Sequence, residues 1–292
     1  MITKMALKKV GFLPLRLLFA FSFFVIIAPV TASGDRSQTR WPDGKKAALS
    51  LTYDDALQSH LDIAAPALNR FGLRATFYIT VSSPVFTGNI NEWRTLAQSG
   101  HELGNHSLFH PCLGPEDFPD RDWVTPDRNL NNYTIPRMVQ ELELGNAILR
   151  SVDGKAARSY AYPCGDATAG GLSYVAAIRH LFTSARSITG SPARITDAQV
   201  SLFSIPTFGA ENQTANDLIE LVETVKASGG YGTITFHGVG GDYLNVSQET
   251  HDAFLTYLSI QEDEIWIDTV QNISNFARAQ QDGTHETDLG PG

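Results

Sequence analysis

Cysteine is scarce: Cys112 and Cys164 are the only two in 292 residues, too few for a disulfide-stapled scaffold or an all-thiolate metal centre. Cations are short as well. Against 31 acidic residues stand 22 Lys and Arg, a formal charge of −9. A surface of that sign repels phosphate backbones and anionic lipid, which leaves nucleic acid out as a partner. A neutral substrate or a cationic product suits it better. Nothing in the chain repeats, and no Pro/Ser/Gly-rich linker divides it, so one large α/β domain is predicted rather than two. There is no Gly-x-Ser-x-Gly elbow, which sets aside a serine hydrolase.

The one long apolar run stands at the start. Lys4, Lys8, Lys9 and Arg16, with no acid among them, precede an apolar stretch from Leu17 to Ala28 and the exit Val30-Thr31-Ala32-Ser33. This reads as a cleaved secretory signal with Ala32 as its last residue; the apolar core is short for the competing reading, a membrane anchor. No cysteine in the exit region offers a lipid attachment point. The expected organisation is therefore a signal at 1–32, a catalytic domain at 33–280 and a polar tail at 281–292. The exported chain, about 260 residues with a charge near −13, is destined for periplasm or medium. There a Cys112–Cys164 disulfide is permitted, and a bridge and two buried free thiols remain equally open.

Elements alternate along the chain. Lys46 to Tyr53 has the two-residue period of a strand, Leu57 to Phe71 the face of a helix stopped by Gly72, and Ala75 to Thr80 is a strand again. A short helix from Asn91 to Gln98 leads to a brief strand at His101 to Asn105. Pro111 to Ile135 is rich in Pro, Asp and Asn, an irregular excursion whose Trp123 and Tyr133 either face a ligand or pin the loop. A helix follows with Pro136 at its first position, then a strand at Arg158 to Tyr162, a helix at Leu172 to His180, extended chain at Leu181 to Ala185 and a further strand at Ser201 to Pro206. Thr214 and Asp217 resemble a capping box before a helix that ends at Gly229. Tyr231 to Phe236 is a strand, Ser247 caps a helix through Leu258, and strand Ile265 to Ile267 precedes a last helix. About seven strands alternating with helices give a parallel sheet, curled into a (β/α) barrel.

Three polar groups each follow a strand, where α/β folds place their chemistry. His106 and His110, four residues apart, are expected on one face of a helical turn, close enough for one cation. Asp54 and Asp55 would point to opposite faces of a strand, so they share a task only if the strand ends between them. His237 stands at the end of a later strand. Two histidines and a carboxylate with an open position suit Zn²⁺, and tolerate Co²⁺ or another divalent ion; such a centre hydrolyses an amide or ester.

These residues carry a resemblance. Thr52-Tyr53-Asp54-Asp55 is similar to the T-F-D-D motif, and His106-Ser107-Leu108-Phe109-His110 to the H-[S/T]-x-x-H motif, of the NodB-type polysaccharide deacetylases, carbohydrate esterase family 4. Ile234-Thr235-Phe236-His237 resembles that family's L-x-L-H, and Tyr160 to Gly165 falls where it has R-x-P-[FY]-G. The resemblance implies a distorted barrel of about seven strands, and a metal held by Asp55, His106 and His110. It makes Asp54 the base that takes a proton from water, and His237 the acid that protonates the leaving amine. It makes Ile234 and Phe236 the walls of the acetyl pocket, and the backbone N–H of Cys164, beside Tyr162, the oxyanion donor.

The chain also departs from that family. Its third-motif Arg, which pairs with the base, is Ala161 here; Arg186, at the next strand end, is the expected substitute, with a solvated surface Arg as the alternative. The fourth motif is not recognisable between Ile195 and Glu211, and Asp166 and Asp242 are the conceivable partners for His237, each also readable as an ordinary turn acid. His60, His101, His180 and His285 are given no role, and His251 either lines the site or packs beside it. The implied activity is N-deacetylation of N-acetylglucosamine-containing glycans. O-deacetylation of acetylated xylan is the alternative hydrolysis, and a non-catalytic glycan-binding pseudoenzyme the alternative of another class. The signal and the intact triad argue against the small cyclic amides that some relatives hydrolyse.

Overall fold

Strand β1 (Ala47–Asp54) is buried along its whole length and the sheet is built around it. The computed structural model describes residues 41–187 and 202–281; the expected signal, the 195–201 part of the missing fourth motif, and the tail with His285 lie outside the described residues. After β1 come α1 (Ala65–Arg70), β2 (Thr76–Ile79), α2 (Pro84–Gly88), α3 (Ile90–Gln98), β3 (Glu102–Asn105), α4 (Ile135–Asp153) and β4 (Tyr160–Ala161). A small hairpin, β5 (Thr168–Ala169) and β6 (Leu172–Ser173), precedes α5 (Val175–Ile178) and β7 (Ala185–Arg186). Then follow β8 (Phe208–Gly209), α6 (Ala215–Ser228), β9 (Tyr231–Phe236), α7 (Gln248–Ser259), β10 (Ile265–Ile267) and α8 (Val270–Gln281).

The main sheet is parallel, in the order β7-β4-β3-β2-β1-β9-β8, with β10 beside the first half of β1. Its edges approach each other through one segment. Ile205 makes a single bridge to Arg186, while Phe208–Gly209 pairs with β9. Pro206 lies between them and has no N–H to continue a ladder. The predicted strand at Ser201 to Pro206 is therefore replaced by that one bridge and the short β8, which is why the (β/α) barrel is distorted.

Side chains of β1 divide by parity. Leu49, Leu51 and Tyr53 pack outward with Val222, Phe254 and Leu255 of the covering helices. Ser50 and Thr52 point inward, where the Tyr231 hydroxyl donates to Ser50 Oγ at 2.9 Å and Thr52 Oγ1 lies 3.0 Å from Thr235 Oγ1. Polar groups buried in the barrel thus satisfy one another. Helix ends follow local chemistry: Thr214 and Asp217 form their reciprocal cap, and α6 stops at Gly229 with φ +68.

Two further expectations change. Helix α4 starts at Ile135, one residue before Pro136, because the Thr134 hydroxyl accepts from Arg137 N–H. The predicted helix Leu172 to His180 shrinks to α5, since Gly170 and Gly171, both with positive φ, fold the chain ahead of it into the β5–β6 hairpin.

Candidate active site

β1 stops at Asp54 because Asp55 and Ala56 turn into the left-handed region, with φ +80 and +56. Two successive carboxylates thereby face one side. The histidines meet differently from the helical turn expected of their spacing. His106 leaves β3 with its N–H on Ile79 O, and Ser107 and His110 have φ +67 and +55. This tight turn is pinned by Ser107 N–H on Asn105 Oδ1 at 2.7 Å and by His110 N–H on Ser107 Oγ at 2.9 Å. The two imidazole centroids end 4.8 Å apart.

Asp55 Oδ1 lies 3.4 Å from His106 Nε2 and 3.3 Å from His110 Nε2. Burial alone would raise the Asp55 pKa, but the imidazoles of His110, His106 and His237 and the Tyr243 hydroxyl outweigh it and hold the carboxyl well below its usual range. Burial pushes His110 down to about 4, against the opposing pull of Asp55. At neutral pH the cluster therefore pairs an ionised carboxylate with a neutral His110, a donor set that wants a cation. The chemistry fits a divalent metal: three ligand atoms lie within 4.8 Å of one another. His106 Nδ1 donates to Ala161 O at 2.8 Å, which leaves Nε2 as the lone pair. A second trio, His110 with Cys112 and Cys164, is as close, but the two sulfurs are joined as a disulfide and are not thiolate ligands.

Asp54 is buried, and its Oδ2 receives the Arg186 guanidinium. Ala161 and Arg186 are register partners on β4 and β7, so the small side chain on one strand leaves room for the arginine of the next. Arg186 is wholly buried, not a surface residue. Asp54 Oδ1 is buried and has no hydrogen-bond partner among the described residues.

His237 Nε2 lies 3.8 Å from Asp55 Oδ2, and its Nδ1 has no partner among the described residues. Neither predicted acid serves it. Asp166 accepts from Leu113 N–H at 2.8 Å and from Arg121 at 2.6 Å, pinning the excursion; Asp242 accepts from Ser59 N–H at 2.8 Å. The contact to the His237 backbone comes from His60, which the sequence reading left without a role. Its Nδ1 accepts from Leu57 N–H and its Nε2 donates to His237 O at 2.9 Å. His60 opens a single π-helical turn, His60–Ala64, a feature that often marks functional sites and one that spacing does not announce.

Other predicted residues lie elsewhere. Ile234 and Phe236 do not wall the pocket: they alternate with the inward Thr235 and are buried among the outer helices, Phe236 stacking on Tyr53 at 5.1 Å between centroids. Tyr162 is likewise turned into a second apolar cluster, its hydroxyl on Phe203 O. Cys164, with φ +55, sits in the turn after β4 and is bridged to Cys112, whose Sγ is 3.6 Å from His110 Nδ1. Trp123, 56% exposed, lines a cavity of about 360 Å³ with His110, whereas Tyr133 is buried and pins the loop. His251 does not line the site; it is buried with Nε2 2.8 Å from the Tyr53 hydroxyl, the atom this chain adds to the T-F-D-D pattern.

The polysaccharide deacetylase family model matches residues 42–179. In fold the chain is similar to a structure assigned as a polysaccharide deacetylase from Mycobacterium smegmatis, with TM-score 0.62 and 16% identity over 84% of this chain and 94% of that one. It is also similar to the peptidoglycan deacetylase PdaC from Bacillus subtilis, with TM-score 0.51 and 16% identity over 85% and 96%. In sequence it is 22% identical over 273 residues to a gellan lyase of Bacillus sp., across 86% of this chain and 10% of that protein. The chain thus spans about a tenth of the length of that curated relative.

Proposed function

We propose that the chain, which the polysaccharide deacetylase family model matches over residues 42–179, is a metal-dependent hydrolase that removes N-acetyl groups from N-acetylglucosamine-containing glycans, such as chitin oligomers or a cell-surface polysaccharide. It acts outside the cytosol after loss of residues 1–32. The observation that carries this reading is Asp55 Oδ1 at 3.4 and 3.3 Å from two histidine Nε2 atoms, with the buried Asp54 alongside. Asp55, His106 and His110 would hold a divalent cation such as Zn²⁺ or Co²⁺, which would supply Lewis acidity toward water and an amide carbonyl.

The side chains around that set divide the remaining work. Asp54 Oδ1 accepts the proton of the attacking water, and Arg186 on Oδ2 fixes the carboxylate so that Oδ1 is the oxygen offered. His237, on the other side of Asp55, delivers a proton to the departing amine. The turn at Cys164 offers a backbone N–H to the developing oxyanion, a donor that does not depend on the side chain there. An acidic surface attracts the resulting ammonium product and repels polyanions.

Acetate release from chitin oligomers and acetylxylan, measured beside metal content, tests the reading. The wild-type protein should carry one divalent ion per chain and release acetate from the chitin oligomers. Asp54→Asn should keep the ion and lose turnover by about 10²–10⁴-fold. Release from acetylxylan alone would move the assignment to an O-acetyl esterase. Glycan binding with full metal and no acetate would make the protein a binding module.

A further inference from the structure

Tyr243 is 52% exposed, yet its hydroxyl donates to Asp55 Oδ2 at 2.7 Å. The turn that delivers it is tied at several points. Gly238 N–H donates to Tyr243 O, Val246 N–H to Gly238 O, and Gly240 N–H to Val246 O. Val239 N–H donates to Ser59 Oγ, and Ser59 N–H to Asp242 Oδ2, fastening the turn to the residue before the π-helical turn. Asp242 and Leu244, on either side of the tyrosine, have φ +61 and +46, a left-handed conformation that non-glycine residues adopt at a cost. Strain is therefore tolerated on both sides of Tyr243 to present an exposed ring to a buried carboxylate.

That carboxylate needs holding. Asp55 follows the strand end on a left-handed backbone, and Thr80 Oγ1 reaches its Oδ1 only at 3.4 Å. Of the two groups near Oδ2, His237 Nε2 stands at 3.8 Å, beyond hydrogen-bond reach. Among the described residues, the phenol alone is close enough to Oδ2 to fix the plane. We infer that Tyr243 is a positioning residue for the metal: by holding Oδ2 it turns Oδ1 toward His106 and His110 and keeps Asp55 from closing on the ion with both oxygens. The inference rests on the metal reading above. A hydrogen-bonding partner behind a ligating carboxylate is typically worth 10–100-fold in metal affinity, and no feature of the sequence pattern points to this residue.

The test titrates Zn²⁺ into metal-free protein against a chromophoric chelator. Wild type should take up one ion, Tyr243→Phe should bind it about 10–100-fold more weakly, and Leu244→Ala, in the same turn, should match wild type. His110→Ala should bind none at the concentrations used. If Tyr243→Phe binds like wild type while His110→Ala fails, the inference is overturned and the metal site stands. If Leu244→Ala weakens binding as much as Tyr243→Phe does, the shape of the turn is responsible and not the hydroxyl. If wild type binds no ion, or His110→Ala binds as well as wild type, the metal reading falls and takes this inference with it.

Discussion

His106 and His237 are both strand-end histidines within 4 Å of an Asp55 oxygen, and the backs of their rings are treated differently. Nδ1 of His106 is committed to Ala161 O at 2.8 Å and the residue is 2% exposed. His237 is held by its backbone instead, its carbonyl taking the His60 N–H, while its Nδ1 has no partner among the described residues. A neutral ring with one N–H committed keeps a single tautomer, with its lone pair on the other nitrogen, as a ligand must. An uncommitted ring can carry a proton on either nitrogen, which suits a group that gives one away.

The largest effect should separate those two sides. His106→Ala should abolish metal binding and acetate release together. His237→Asn should leave the bound ion in place, read by elemental analysis, and lower turnover by about 10²–10⁴-fold. Loss of the ion in His237→Asn would show that both imidazoles serve the metal, and the contrast between them would disappear.

The barrel strands were legible because a two-residue period ending in a polar group gives both an element and the place where it stops. Parity carries further than the family resemblance at β9: Thr235 bonds inward to Thr52, so Ile234 and Phe236 have to point out, and alternation alone could have said so. The turn from His106 to His110 was not legible as a turn. The same spacing serves a helical turn, and only the positive φ values at Ser107 and His110, residues without the usual glycine, decide between them. His60 and Tyr243 reach the site through a π-turn and a turn with two left-handed residues, neither of which has a sequence period. Arg186 meets Asp54 through register, since Ala161 and Arg186 pair across β4 and β7.

The loops beside the two sides also differ. The Gly238–Val246 turn is held by hydrogen bonds, whereas the excursion that starts after His110 is cross-linked by Cys112–Cys164. With a sequence separation of 52 between the cysteines, the chain-entropy model gives the bridge about 4 kcal/mol of stability. The double variant Cys112→Ser, Cys164→Ser should lose about that much in urea unfolding, and should bind Zn²⁺ more weakly because Cys112 backs His110. A variant with unchanged stability and affinity would mean that the excursion is as well held by hydrogen bonds as the opposite turn.

The smallest effect concerns histidines away from the ligand set. His60, His101 and His251 are wholly buried, and desolvation pushes each from 6.5 down to about 4. Each is neutral in the fold, so between pH 6.5 and about 4 the unfolded chain binds protons that the folded chain does not. Stability from these groups is complete above pH 6.5, falls as the pH drops through that window, and levels off below it. The difference is on the order of 3 kcal/mol for each. His101 is the cleanest probe, because it sits at the start of β3 with Nδ1 accepting from Ala75 N–H at 3.2 Å, and a glutamine carbonyl can take that bond. In metal-free protein, His101→Gln should reduce the loss of stability between pH 7 and pH 4 by about one histidine's share, measured by denaturant unfolding across that range. An unchanged acid slope would mean that His101 titrates in the folded state much as it does in the unfolded chain, and that burial of this ring does not set its charge.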